Sequence, residues 1–117
     1  MSEIALYGIA NCDTVRKARR SLDAAGVGYR FVDFRKDGLE EDRLRHWVEA
    51  VGWETLVNRR GTTWRQLPED QREGLDAERA IPLMLEHPAL IKRPVIEHQG
   101  GVRVGWNSDT ATALGAG

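Results

Sequence analysis

The chain of 117 residues contains a single cysteine, Cys12, and this scarcity limits its redox chemistry. One thiol cannot form a disulfide within the chain, so a redox cycle through Cys12 needs a second thiol from glutathione or a partner protein. Val15 stands where a Cys-x-x-Cys pair would have its second sulfur. The sequence therefore excludes the dithiol mechanism of that motif.

The sequence also lacks long apolar runs and a large net charge. No segment approaches the ~20 apolar residues of a membrane span, and no signal-peptide pattern opens the sequence. A net charge of -1 provides no overall attraction to nucleic acid or to anionic membranes. His46, His87 and His98 lack metal-ligand spacing. We therefore expect a cytoplasmic protein with a reduced thiol and with no metal, nucleic-acid or membrane partner.

Hydrophobic periodicity predicts a strand, a helix and a second strand in the first third of the chain. Residues 4–7 form a short apolar run that Gly8 ends, and residues 29–34 alternate well enough for a strand. Between them, residues 13–25 carry an apolar stripe at helical spacing and a basic opposite face. This order implies a right-handed crossover between parallel strands.

The rest of the chain is predicted as a helical block followed by a hairpin and a last helix. Pro82 lies inside one helical pattern, so that helix either bends there or begins near Ile81. Ser108 is the candidate N-cap of the last helix. The predicted elements are a helix over 44–51, a loop over 58–65, helices over 71–75 and 77–86, strands over 95–98 and 102–106 with a turn at 99–101, and a helix over 108–114.

Cys12 lies at the junction between the first strand and the first helix, where a thiol becomes reactive. Free amides of the first helical turn and the helix dipole favour the thiolate, and Arg16 and Lys17 add positive charge. The alternative is that Cys12 is a small buried hydrophobe. Asn11 and Thr14 either orient the sulfur or cap the helix. We expect Asp13 to point outward, because an inward carboxylate would oppose the thiolate.

Three separated motifs carry a family resemblance. They are Tyr7-Gly8-Ile9-x-Asn11-Cys12-Asp13-Thr14-x-x-Lys17-Ala18, Asn58-Arg59-x-Gly61-Thr62-Thr63 and Ile91-Lys92-Arg93-Pro94-Val95. Together they resemble the ArsC/Spx family, most closely its short YffB-type branch, over nearly the full length. The resemblance implies an α/β fold with a thioredoxin/glutaredoxin-like mixed sheet (βαβ...ββα). It also implies a single domain, 1–117, with the core in 1–36 and 88–117 and a helical insertion at 37–87.

The resemblance further implies a cis-proline, Pro94, facing the cysteine, so that a peptide-like thiol substrate can pair beside the sulfur. Arg93 would then lie near Cys12 and bind an oxyanion or a glutathione carboxylate through its planar fork. Lys92, Arg59 and Arg60 are weaker candidates for the same anchoring. No metal is implied, and the only co-substrate is glutathione.

Arsenate reductases of the family use three arginines, and this chain departs from that pattern. Arg93 matches the second arginine, but Asn58 and Trp106 occupy the positions of the other two. Arg59, Arg60 or Arg103 lie close in sequence to a missing arginine, although Arg103 would face the opposite side of its strand from Trp106. Two lost charge-assisted contacts, each worth about 1.5–3 kcal/mol, would weaken arsenate binding by several orders of magnitude.

We therefore predict a glutathione-dependent thiol reductase that uses Cys12 alone. Its expected partners are glutathione and either a glutaredoxin or a thiol-containing substrate, and we expect a monomer. Two alternatives stay open. One is an arsenate reductase coupled to glutathione and glutaredoxin, and the other is a non-enzymatic Spx-like regulator that binds RNA polymerase.

Overall fold

The computed structural model describes residues 3–99 and 101–116, and these divide into two compact units. The first unit contains the described residues up to Gly38 and from Arg93 onward, and the second contains Leu39–Lys92. In chain order the elements are β1 (Ala5–Gly8), α1 (Asp13–Ala24), β2 (Arg30–Asp33), α2 (Phe34–Asp37), α3 (Glu41–Val51), α4 (Trp53–Leu56), α5 (Thr62–Gln66), α6 (Glu69–Arg72), α7 (Ala77–Glu86), a 3-10 turn (Pro88–Leu90), β3 (Val95–His98), β4 (Gly101–Val104) and α8 (Ser108–Ala113).

The first unit is built on a four-stranded mixed sheet in the order β2-β1-β3-β4. Strands β1 and β2 are parallel, whereas β3 is antiparallel to both β1 and β4. The predicted mixed sheet with a parallel crossover and a C-terminal hairpin is therefore confirmed. Gly100, in the turn predicted at 99–101, lies outside the described residues.

Helix α1 packs on this sheet because its apolar stripe is continuous with the core. Val15, Ala18 and Leu22 are fully buried together with Leu6 of β1 and Ile96 of β3. Cys12 and Trp106 pack against the same cluster while partly exposed. The start of α1 is thus anchored to the core by the side chain of Val15, three positions after Cys12.

The second unit is helical, and its core includes Leu44 and Trp47 of α3 and Met84 of α7. This unit extends to Lys92. Val57 forms an isolated β-bridge with Ile91, and the Lys92 N–H donates to the Leu56 carbonyl at 2.7 Å. The sequence placed the insertion at 37–87. That boundary stays a prediction; the compact helical unit of the structure spans Leu39–Lys92, and these hydrogen bonds join residues 91 and 92 to it.

Four local predictions are corrected by the structure. Strand β2 stops at Asp33 rather than residue 34, because the Asp33 side chain caps a short helix that begins at Phe34. Asn107, not Ser108, is the N-cap of α8, and its side chain accepts from the Thr110 N–H at 2.9 Å. The predicted loop 58–65 becomes helical from Thr62. Helix α7 begins at Ala77 and contains Pro82, so the alternative start near Ile81 is wrong.

Gly8 allows α1 to approach the end of β1 closely. A Cβ atom at this position would lie 2.7 Å from Cγ2 of Val15, well inside van der Waals contact. Val15 is fully buried, so it has little room to move away. Packing therefore requires glycine at position 8, and this contact positions α1 against β1.

We predict that Gly8→Ala destabilises the fold by about 1–3 kcal/mol through overpacking. In a Val15→Ala background the same change should cost less, because the methyl groups that it meets are gone. Urea unfolding of the double-mutant cycle measures this coupling. Gly28→Ala is the matched control, since a Cβ there meets nothing within 4 Å. Strictly additive costs would contradict the packing role of Gly8.

Candidate active site around Cys12

Cys12 is the N-cap residue of α1 and follows the β1 strand through a short loop. Its backbone is extended, with φ -133 and ψ 125, and its carbonyl accepts the first helical hydrogen bond from the Arg16 N–H at 2.9 Å. The side chain is neither sealed nor fully exposed, with an intermediate accessible surface. Cys12 therefore packs against the apolar core and still keeps part of its surface accessible to solvent.

The surroundings of Cys12 favour the thiolate. Partial burial raises the pKa of the thiol, but the Val15 amide, a hydrogen bond and the charge of Arg93, and the Thr14 amide together lower it by more. The resulting pKa lies below its ordinary value. The Val15 and Thr14 amides lie in the first turn of α1, where backbone N–H groups favour a thiolate.

Arg93 and Pro94 lie in the same unit as Cys12, directly before β3. The Arg93–Pro94 peptide bond is cis, as the resemblance implied. Pro94 is buried, and its carbonyl accepts from the Gly105 N–H at 2.8 Å, which ties this turn to the end of β4. Arg93 supplies both a hydrogen bond and a positive charge to the sulfur. The structure thus brings Cys12 and Arg93 together.

Asn11, Asp13 and Thr14 surround the cysteine in different ways. Asn11 Oδ1 accepts from Nη1 of Arg16 at 3.2 Å, and Arg16 also forms an ion pair with Asp13. The Asp13 side chain is 95% exposed, so its predicted outward orientation is confirmed. Thr14 acts on the sulfur through its backbone N–H. Neither Asn11 nor Thr14 is the N-cap, because Cys12 itself occupies that position.

Arg59, Arg60 and Lys92 belong to the helical unit. The Arg59 guanidinium lies 5.3 Å from the ring centre of Trp53 and 5.9 Å from that of Trp64. The Arg60 N–H donates to Oδ1 of Asn58 at 3.2 Å, and Lys92 is exposed. Sequence reasoning missed the aromatic contacts of Arg59, because helical spacing does not reveal that both tryptophans lie beside one arginine.

Asp33 is a residue at this site that sequence reasoning did not single out. Its Oδ2 accepts from the Ala10 N–H at 3.1 Å, and its Oδ1 accepts from the N–H groups of Arg35 and Lys36 at 3.0 and 3.1 Å. Burial raises the pKa of the Asp33 carboxyl, but these amides and the charge of Lys36 lower it by more. Parallel pairing aligns Gly8 with Asp33, so the ends of β1 and β2 lie at one edge of the sheet. The predicted parallel crossover was therefore the sequence signal that could have pointed to Asp33.

The described part of the chain offers neither a metal-binding cluster nor a membrane-spanning helix. Among residues 3–99 and 101–116, no group of three or more His, Cys, Asp or Glu side chains is placed to hold a metal ion. No helix within the same residues has the length and apolar character needed to cross a membrane.

The mixed sheet in the order β2-β1-β3-β4, with Cys12 at the start of its first helix, defines a thioredoxin-like α/β fold with a single cysteine. The chain belongs to the ArsC family, whose model matches residues 7–114, and within it to the YffB-like proteins. The solved structure of a YffB protein is 46% identical with a TM-score of 0.91, and the match covers 96% of this chain and 98% of that one. A solved arsenate reductase (ArsC) related protein from Brucella melitensis is 45% identical with a TM-score of 0.78, over 95% and 92% of the two chains.

Sequence relatives include proteins of different named functions. An uncharacterized protein of Haemophilus influenzae is 42% identical over 104 residues, which are 89% of this chain and 91% of the relative. The global transcriptional regulator Spx of Listeria innocua is 25% identical over 108 residues, which are 91% of this chain and 82% of the regulator. The family therefore contains both arsenate reductase-related proteins and Spx regulators, and membership alone does not choose between them.

We predict that Arg93→Ala raises the pKa of the Cys12 thiol, because burial remains while a hydrogen bond and a positive charge are lost. At neutral pH the rate of alkylation by iodoacetamide should fall about tenfold, which corresponds to one pKa unit. The pH dependence of that rate measures the change. Arg20→Ala, an exposed change on α1, is the control and should leave the profile nearly unaltered. Identical profiles for Arg93→Ala and the parent protein would contradict the assignment.

Proposed function

We propose that this protein is a glutathione-dependent thiol reductase that works through Cys12 alone. The observation that carries the proposal is the half-buried sulfur of Cys12, whose pKa is lowered by the Val15 and Thr14 amides and by Arg93. A thiolate at neutral pH is the nucleophile that disulfide exchange requires. The arrangement supplies that nucleophile without a metal or a second cysteine.

The reaction proceeds in two exchanges. The Cys12 thiolate attacks the glutathione sulfur of a mixed disulfide, forms a new S–S bond with it, and releases the substrate as a thiolate. A free glutathione thiolate then attacks the Cys12–glutathione disulfide, which yields oxidised glutathione and restores the Cys12 thiolate. In the net exchange one free glutathione thiol is consumed: the substrate leaves as a thiol, and its place in the disulfide is taken by the free glutathione.

Arg93 is the proposed anchor for glutathione. Its guanidinium has five N–H donors in a planar fork, so it can act on the sulfur and still bind a carboxylate. Asn11, Thr14 and Pro94 are proposed to line the same site. The proposal does not depend on Arg59, Arg60 or Lys92, which belong to the helical unit.

Val15 supports a mechanism with an external thiol. Its side chain is fully buried against Gly8, at the position where a dithiol protein would carry its second cysteine. The mixed disulfide at Cys12 can therefore be resolved only by glutathione or by a thiol of a partner such as a glutaredoxin. We propose that this occurs in the cytoplasm, where thiols are kept reduced, and that the protein acts as a monomer.

Arsenate reduction is the second candidate, because a related protein at 45% identity is named as arsenate reductase-related. Arg93 would bind the oxyanion, but Asn58 and Trp106 stand where the family resemblance implies two further arginines. Spx-type regulation is a third candidate from the relatives at 25% identity. Turnover of arsenate with glutathione and glutaredoxin would favour the second candidate over thiol reduction.

We expect the purified protein to form one mixed disulfide when it is incubated with oxidised glutathione. Intact-mass spectrometry should show the addition of one glutathionyl group, and peptide mapping should place it on Cys12. Added glutathione should remove the adduct, because exchange is reversible. Cys12→Ser is the control and should stay unmodified. No adduct in the parent protein, despite a lowered thiol pKa, would overturn the glutathione-dependent function.

A further inference from the structure

Asp33 links the end of β2 to the loop that carries Cys12. Parallel pairing aligns Asp33 with Gly8, so the carboxylate lies at the edge of the sheet from which the loop departs. From there its Oδ2 accepts the Ala10 N–H at 3.1 Å, across 23 positions of sequence. Ala10 itself is exposed, so in the absence of Asp33 this N–H would face water.

The bond to Ala10 restrains the chain immediately before the sulfur. On the helix side, the Cys12 carbonyl is held by the Arg16 N–H at 2.9 Å. On the strand side, the Ala10 N–H is held by Asp33. Cys12 lies between these two restraints, and its thiolate depends on its placement relative to the Val15 amide and Arg93.

We propose that Asp33 is a positioning residue for Cys12, whose Oδ2 holds the Ala10 N–H and thereby keeps the sulfur at the start of α1. The inference rests on the proposed function only in taking Cys12 as the reactive group. Asp33 does not contact the substrate in this role. It acts through the loop backbone.

The two carboxylate oxygens have separate tasks, and this makes the proposal testable. Oδ1 caps α2 by accepting from the N–H groups of Arg35 and Lys36. Among the hydrogen bonds described for this side chain, Oδ2 takes part only in the one from the Ala10 N–H. In Asp33→Asn the remaining amide oxygen can still cap α2, because asparagine is a good N-cap. Its NH₂ group, however, cannot accept from the Ala10 N–H. The variant therefore removes the link and keeps the cap.

A purely electrostatic role for Asp33 predicts the opposite sign. If the negative charge of Asp33 acted on the sulfur through space, its removal would favour the thiolate and lower the thiol pKa. If Asp33 acts by position, its removal misplaces the sulfur relative to Val15 and Arg93, and the thiol pKa rises. The direction of the change thus separates the two roles.

The decisive experiment measures the alkylation rate of Cys12 by iodoacetamide against pH in the full-length protein and in Asp33→Asn. We expect a higher thiol pKa in the variant and a rate at neutral pH about threefold to tenfold lower, since one pKa unit is a tenfold change in thiolate. Asp76→Asn is the matched control, because Asp76 caps α7 through the Arg79 N–H within the helical unit. Its profile should equal that of the parent protein. An unchanged or lowered thiol pKa in Asp33→Asn would overturn the proposal, as would an equal rise in the control.

A measurement on the parent protein keeps the proposal testable even if Asp33→Asn folds poorly. The Ala10 amide proton should shift in NMR spectra as the Asp33 carboxyl titrates, below the usual range for aspartate. An Ala10 resonance that does not follow this titration would also overturn the proposal. Neither measurement uses glutathione. A failed glutathione adduct would therefore leave the positioning role intact, and failure of the positioning role would leave the glutathione-dependent function intact.

Discussion

The site depends on a balance at one sulfur between the cost of burial and the stabilisation of negative charge. Burial of Cys12 disfavours the thiolate, and a free thiol packed against an apolar cluster would ordinarily stay protonated. The amides of Val15 and Thr14 and the guanidinium of Arg93 reverse that preference. Because amide dipoles act over short distances, the balance holds only if the loop, the helix and the turn before β3 keep their positions.

Core packing and thiol chemistry share the residue Val15. Its side chain fills the core beneath Gly8, which has no Cβ to obstruct it, while its backbone N–H lowers the pKa of the Cys12 thiol. The packing of α1 on β1 therefore also sets the direction of the amide that acts on the sulfur. A cysteine in place of Val15 would lie in this same core contact.

Hydrophobic and charge patterns within single helices and strands predicted much of the fold. Side-chain contacts between different elements could not be predicted in this way. The strand-helix-strand order, the C-terminal hairpin and the outward Asp13 followed from periodicity and charge, whereas the thioredoxin-like sheet and the cis bond before Pro94 followed from the family resemblance. Asp33 was missed, because alternation along β2 does not show that a side chain caps the next helix and reaches Ala10. Arg59 between Trp53 and Trp64 was missed for the same reason.

We propose that charge at the sulfur also favours a disulfide substrate over a dianionic oxyanion. The Cys12 thiolate already offsets the positive charge of Arg93, and Arg16, the first arginine of α1, is paired with Asp13. A disulfide sulfur is neutral, so it can approach the thiolate without repulsion. An arsenate dianion would meet like charge and would need further cations, of the kind that Asn58 and Trp106 do not provide. On this proposal Arg93, which lowers the pKa of the Cys12 thiol, suits a neutral disulfide sulfur better than an arsenate dianion.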